Sequence, residues 1–161
     1  MTFDSQLQRK IMGQFATGVT VITLQDGDDT WGMTANAVTS VSLDPPLVLV
    51  CVQRDNQTHP RLKQAGSFAM NILAADQQDL SDRYAYLGPK DCSGLELSRA
   101  VTGAPILPGT LGHVDCEVRE IFAAGDHDIF LGEIVAGELA EGEPLLYYQG
   151  GYRQLAAPAA E

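Results

Sequence analysis

The chain has 161 residues, 45% of them hydrophobic and 19% charged, a globular composition long enough for one domain to bury a core without disulfide or metal staples. Twenty-one acidic residues against ten basic ones give a formal charge of -11, a field that repels phosphate polymers and anionic lipid and argues against nucleic acid or a membrane as partner. The N-terminal stretch has no apolar targeting run, and the longest apolar run, Leu47 to Val52, is too short to cross a bilayer; the expectation is a soluble, cytoplasmic single domain over 1–161 with its core at about 11–155.

In chain order, residues 4 to 14 place Leu7, Ile11 and Met12 at the spacing of a short amphipathic helix, with Asp4 or Ser5 as its N-cap. "GVTVITL" (18 to 24) is rich in β-branched residues, and "QDGDD" is a turn, so 18 to 36 is predicted as a hairpin. From 37 to 43 the chain alternates, setting Ala37, Thr39, Val41 and Leu43 on one face and Val38, Ser40 and Ser42 on the other. "DPP" interrupts, because proline cannot donate to a ladder, and "LVLVCV" is predicted as a strand buried on both sides.

"THPRLKQAG" (58 to 66) suits a helix capped by Thr58 and stopped at Gly66; "SFAMNIL" is a strand, and a further helix begins near Asp76. Residues 88 to 110 are mostly loop. "HVDCEVREI" sets Val114, Cys116 and Val118 inward and His113, Asp115, Glu117 and Arg119 outward, and "AAGDHDIFLGEIVAGEL" is its return arm. "PLLYYQGGYRQL" is a last short strand, and "AAPAAE" a frayed end. Six or seven strands with two or three short helices amount to a mainly β chain, best satisfied by a small barrel.

The residues exclude several chemistries. There is no GxSxG elbow, HExxH, Walker loop or strand-helix GxGxxG, and the three cysteines, Cys51, Cys92 and Cys116, lack CxxC spacing and fit reduced structural thiols. What remains is a pattern of binding groups. "GMTANA" is a turn in which Gly32 permits close backbone approach and Thr34 and Asn36 add polar groups, although hairpin chemistry alone also accounts for it. "QRDNQTHP" sets Asn56 and Thr58 at a helix start beside Arg54 and His59, either an ordinary cap or a phosphate site. His127, in "GDHDIF", is a turn residue or a hydrogen-bonding group presented on a rim. With Ser40 and Ser42 between them, these groups suit a flavin mononucleotide or another phosphorylated ring.

Five blocks, "FATGVTVIT" (15 to 23), "GMTANAVTSVSLDPPLVLVCV" (32 to 52), "GSFAMNIL" (66 to 73), "GDHDIFLGEI" (125 to 134) and "PLLYYQGGYR" (144 to 153), stand in the order and at the spacing of the flavin reductase family, which the chain resembles from about Phe15 to Arg153. The resemblance implies an FMN-binding split barrel, a Greek-key β-barrel with short helices, usually a homodimer with flavin near the subunit interface. It implies that Thr34, Ala35 and Asn36 border the isoalloxazine and that Ser40 reaches toward the ribityl phosphate. Cys51, Val52 and Gln53 offer mainly backbone, and Asn56 and Thr58 form the phosphate corner. Asp126 and His127 lie near the stacked nicotinamide, and Tyr152 and Arg153 close the pocket. Many relatives have serine where this chain has Ala37.

The activity so implied is reduction of FMN or FAD by NADH or NADPH, with reduced flavin passed to a partner monooxygenase. Nicotinamide C4 placed over flavin N5 at roughly 3 to 3.5 Å needs no acid, base or nucleophile from the protein, which agrees with the missing triad and metal cluster. His127 would orient the nicotinamide or the flavin edge. A flavoprotein with bound FMN that reduces another acceptor, and a flavin-binding module without turnover, remain as alternatives. So do both flavins and both dinucleotides.

Overall fold

The computed structural model describes residues 3–85 and 90–156. Helix α1 (Ser5–Met12) starts at Asp4, whose carboxylate accepts from the Gln6 N–H at 2.8 Å. Strands β1 (Thr17–Gly18) and β2 (Thr20–Asp26) follow, and β2 turns back through a hairpin to β3 (Asp29–Ala35). Then come β4 (Val38–Leu43), β5 (Pro46–Gln53), α2 (Thr58–Ala65), β6 (Ser67–Ile72) and α3 (Gln78–Ala85). The expected third helix is described to Ala85; residues 86–88 of that reading, and 157–161 of the expected frayed tail, lie outside the described residues.

Short strands β7 (Ser98–Arg99) and β8 (Pro105–Ile106) interrupt the expected loop. Two long strands, β9 (Gly112–Ala124) and β10 (His127–Leu139), form one hairpin. The C-terminal block is not one strand but a hairpin, β11 (Leu146–Tyr148) and β12 (Gly151–Arg153), that pairs with β1 instead of joining the barrel.

Seven strands form an antiparallel sheet in the order β3-β2-β6-β9-β10-β5-β4. The two edge strands are consecutive in the chain and only Asn36 and Ala37 lie between them, so the sheet must curl until its edges meet without pairing. That is a split barrel, as expected. Its interior holds Ile22, Leu24, Trp31, Val50, Val52, Phe68 and Phe130. Val21, on the opposite face of β2, lies in a second cluster with Leu73, Tyr84, Leu107 and Leu145, so β2 is buried on both sides.

Three readings of the strands need correction. The strand expected to be buried on both faces, β5, buries only Val48, Val50 and Val52; Leu47, Leu49 and Cys51 on its outer face stay half-buried. A bulge between Ser40 and Ser42 breaks the alternation of β4. Ser40 pairs with inward-facing Val48 and Ser42 with outward-facing Leu47, so the two hydroxyls do not share a face. Asp115 does face away from the barrel, yet it is fully buried. The loop from Ser98 to Leu107 covers it, and its carboxylate accepts from the Thr102 backbone N–H and hydroxyl.

Candidate functional site

Where β3 ends, α3 and the C-terminal hairpin enclose a cleft of about 380 Å³ whose walls include Thr34, Ala35, Asn36, Tyr147 and Tyr152. The Thr34 hydroxyl donates to the Ser81 carbonyl at 2.6 Å, tying β3 to α3. Tyr152 OH lies 2.8 Å from Ser81 Oγ and donates to Asp82 at 2.9 Å, while its ring meets Tyr147 edge-on at 5.5 Å. Burial pushes the Tyr152 phenol up from its ordinary value, so it stays a proton donor. Gly32 does allow a close approach, but of Tyr84 and not of a ligand: a Cβ there would lie 2.5 Å from the Tyr84 ring. That contact seats α3 against the barrel.

Asn36 also borders a second cavity, of about 420 Å³, on the outer face of β4 and β5. Its walls are Met12, Phe15, Val38 and Leu49, with hydroxyls from Thr17 and Thr39 and backbone at Ala37. The Asn36 amide nitrogen donates to Thr17 Oγ1 at 3.2 Å, and among the described residues its oxygen accepts no bond. Since β4 pairs among the described residues only with β5, its other edge has backbone donors and acceptors without strand partners there. Apolar walls beside a polar backbone edge match a flat heteroaromatic ring system with hydrogen-bonding groups along one side. The fit requires nothing more of the side chains.

Cys51 N donates to Ala37 O at 3.0 Å, and Gln53, two residues further, pairs with His127. The register therefore sets His127 about 7 Å along and 5 Å across from that point. Thr34 to Asn36, Cys51 to Gln53 and His127 thus border one continuous rim. Gly125 (φ 68°) opens the tight turn into β10, His127 is half exposed, and its Nδ1 lies 2.7 Å from Asp126 Oδ1. That hydrogen bond holds the Asp126 carboxyl below the usual carboxylate range. Of the remaining expected residues, Ser40 is exposed on the edge strand. Val52 faces the core and can offer only its backbone, and Arg153 points away from the cleft, folded onto the Tyr152 carbonyl.

The expected phosphate corner is built differently. Thr58 is fully buried and its hydroxyl accepts from the Trp31 indole N–H at 2.9 Å. At the start of α2 the Thr58 N–H bonds to Asn56 Oδ1, the His59 N–H bonds to Asn56 O, and Pro60 has no N–H. Gln57 is the N-cap residue and makes no side-chain cap bond, so the expected Thr58 cap is replaced by Asn56 Oδ1 acting on the Thr58 N–H, and residues 58 to 60 have no spare backbone donor. Facing outward there are the Asn56 amide nitrogen and Arg54. Asp128, unexpected from sequence, binds Arg54 Nε at 2.7 Å and His59 Nε2 at 2.8 Å, bracing this loop against β10. Sequence reading also gave no site role to Ser81, Asp82, Phe15 or Met12; the only signal was that Phe15 opens a quoted block and the others lie in short helices.

Comparison with known proteins identifies the family. The chain is 35% identical over 150 residues to the reductase subunit HsaB of a flavin-dependent monooxygenase from Rhodococcus jostii (strain RHA1), covering 92% of this chain and 77% of that protein. It is 38% identical over 149 residues to the FMN reductase (NADH) SmoA of Agrobacterium fabrum, covering 92% and 85%. Among solved structures, the NADH:FAD oxidoreductase SgcE6 of Streptomyces globisporus C-1027, in complex with NAD and FAD fragments, superposes with a TM-score of 0.91 at 36% identity, covering 99% of each chain. Residues 12–156 match the flavin reductase like domain, and the chain belongs to that family.

Proposed function

We propose that this chain uses NADH to reduce FAD or FMN and passes the reduced flavin to a partner oxygenase. The observation that carries the reading is the meeting, at Asn36, of an apolar cavity along the unpaired edge of β4 with the cleft under Tyr152. When both are bound, reduced nicotinamide supplies a hydride to flavin N5, which asks the protein for orientation at roughly 3 to 3.5 Å and not for acid-base chemistry. Phe15 and Leu49 would flank the ring faces. The backbone of Thr34 to Ala37 and of Cys51 to Gln53 would face its polar edge, where donors favour the negative charge that reduction adds. Ser40, Asn56 and Arg54 are the groups for the phosphorylated tail. Thr58 acts through Asn56 and Trp31 and not as a ligand.

Asp126 and His127 would stand at the nicotinamide side of the rim. The Asp126 hydrogen bond to Nδ1 holds the imidazole in one orientation. Tyr152, fixed by Ser81 and Asp82, would close the cleft, with Arg153 outside it. A homodimer accompanies this reading, because the larger cavity is open on an apolar outer face that a second copy would cover.

The test is to mix the purified protein with NADH or NADPH and each of FMN, FAD and riboflavin, and to follow the reduced-nicotinamide absorbance. Flavin-dependent oxidation establishes the reductase and orders its substrates. No oxidation with any pair overturns the reading.

A further inference from the structure

The turn between β11 and β12 separates the cleft from a third cavity, of about 360 Å³, and Gly150 lines both. This cavity is walled by Arg9, Lys10, Gly13 and Gln14 of the first helix region and by Gln149. Two observations show that its wall is fixed. Gln149 N–H donates to Gly13 O at 3.0 Å, and Gln14 Oε1 accepts from both Gln149 Nε2 at 2.9 Å and Tyr148 OH at 3.2 Å. Gln149 also holds a left-handed backbone, φ 50°, among the described residues the only non-glycine to do so; a side chain other than glycine, asparagine or aspartate is unusual there.

The charge in this cavity runs against the rest of the molecule. In a chain with 21 acidic residues, neither Arg9 nor Lys10 has a carboxylate partner among the described residues. They do complement the C-terminal end of α1, but that role places no demand on a cavity beside them. Arg9 and Gly13, four residues apart, share a helix face distinct from that of Leu7 and Ile11, so covering the apolar face would leave the cationic one open.

We propose that Arg9 and Lys10 bind the diphosphate of NADH, whose nicotinamide end lies toward the cleft across Gly150. The inference rests on the flavin reductase reading and deepens it. NADH carries an adenosine diphosphate arm beyond its nicotinamide, whereas the phosphate of either flavin belongs at Ser40, Asn56 and Arg54. Two cations separated from the ring site by one turn recognise that arm and leave the ring chemistry untouched.

The test compares the full-length protein with R9Q/K10Q and R9E/K10E, measuring KM and kcat for NADH with saturating FMN, and KM for FAD and for FMN at saturating NADH. Both side chains are exposed, so the variants should fold, which far-UV circular dichroism checks. Losing two charge-assisted contacts should raise the relevant KM roughly five- to tenfold with kcat unchanged, and more on charge reversal. A rise in KM for NADH with either flavin, with KM for FAD and FMN unchanged, supports the proposal. A rise confined to FAD overturns it, because the cations would then serve the flavin and not NADH. Constants within twofold of the unmodified protein throughout overturn the proposal, as does a fall in thermal stability without any change in KM. A wild-type protein that oxidises no NADH overturns the flavin reductase reading itself.

Discussion

His127 and Asp115 are both polar residues that alternation places on the outer surface of their strands, yet they have opposite fates. The 98–107 loop buries Asp115 completely, and its carboxylate is the sole acceptor shown for two Thr102 donors. Replacing Asp115 with Ala should therefore cost roughly 2 to 3 kcal/mol, and with Asn less, as read from urea unfolding. His127 stays half exposed at the rim, so His127→Ala should leave stability nearly unchanged and raise KM for NADH more than KM for flavin; unaltered kinetics would remove it from the site. Asp128 carries a pH dependence. Its carboxyl is held below the usual range first by the hydrogen bond to Arg54 and then by that to His59. A depressed carboxylate favours the fold above its unfolded pKa of about 3.9, and that contribution disappears as pH falls through the folded value. Asp128→Asn should thus lower stability at neutral pH and flatten its loss below about pH 4, in urea midpoints taken across that range.

At the scale of elements, what was legible in the sequence was whatever periodicity controls. The β2-β3 hairpin, the long β9-β10 hairpin and α2 with its Gly66 stop all follow from local pattern, since β-branched runs, turn residues and a left-handed cap act within a few residues. The bulge in β4 was not legible, because an inserted residue leaves no compositional mark, and it separates Ser40 from Ser42. Nor was the capture of Thr58 by Trp31, which lies 27 positions away and is brought there only by the barrel. The rim residues of the site could be named from the family blocks, but α3 could not be assigned to the cleft. Its seat is Gly32, where a methyl group would collide with Tyr84. Gly32→Ala should displace α3, costing about 1 to 3 kcal/mol. Through Ser81 and Asp82 it should also loosen Tyr152 and weaken turnover together with stability. Full activity in a destabilised variant would detach α3 from the site.

At the scale of the whole molecule, the barrel leaves one side unfinished. Phe122 pairs with Ile129, Ile129 with Cys51 and Leu131 with Leu49, so the outer face of β9, β10 and β5 carries a contiguous apolar band, and Met12 and Phe15 flank Leu49 across the larger cavity. Phe122 is 45% exposed and Phe15 70%, although the chain as a whole is strongly acidic. A band of that kind marks an interface, and a second copy laid on it would bury the outer side of β5, the one strand that sequence alone read as buried on both faces, and cover the flavin cavity. The charge of -11 opposes such association only weakly at physiological ionic strength, because acidic groups more than a Debye length of about 8 Å apart are screened. Sedimentation should therefore show a dimer. Phe122→Glu, which places a charge in the band without disturbing the barrel interior, should shift it to monomer and reduce flavin affinity with it. Monomeric wild-type protein that binds flavin tightly would instead make the band a docking face for the oxygenase.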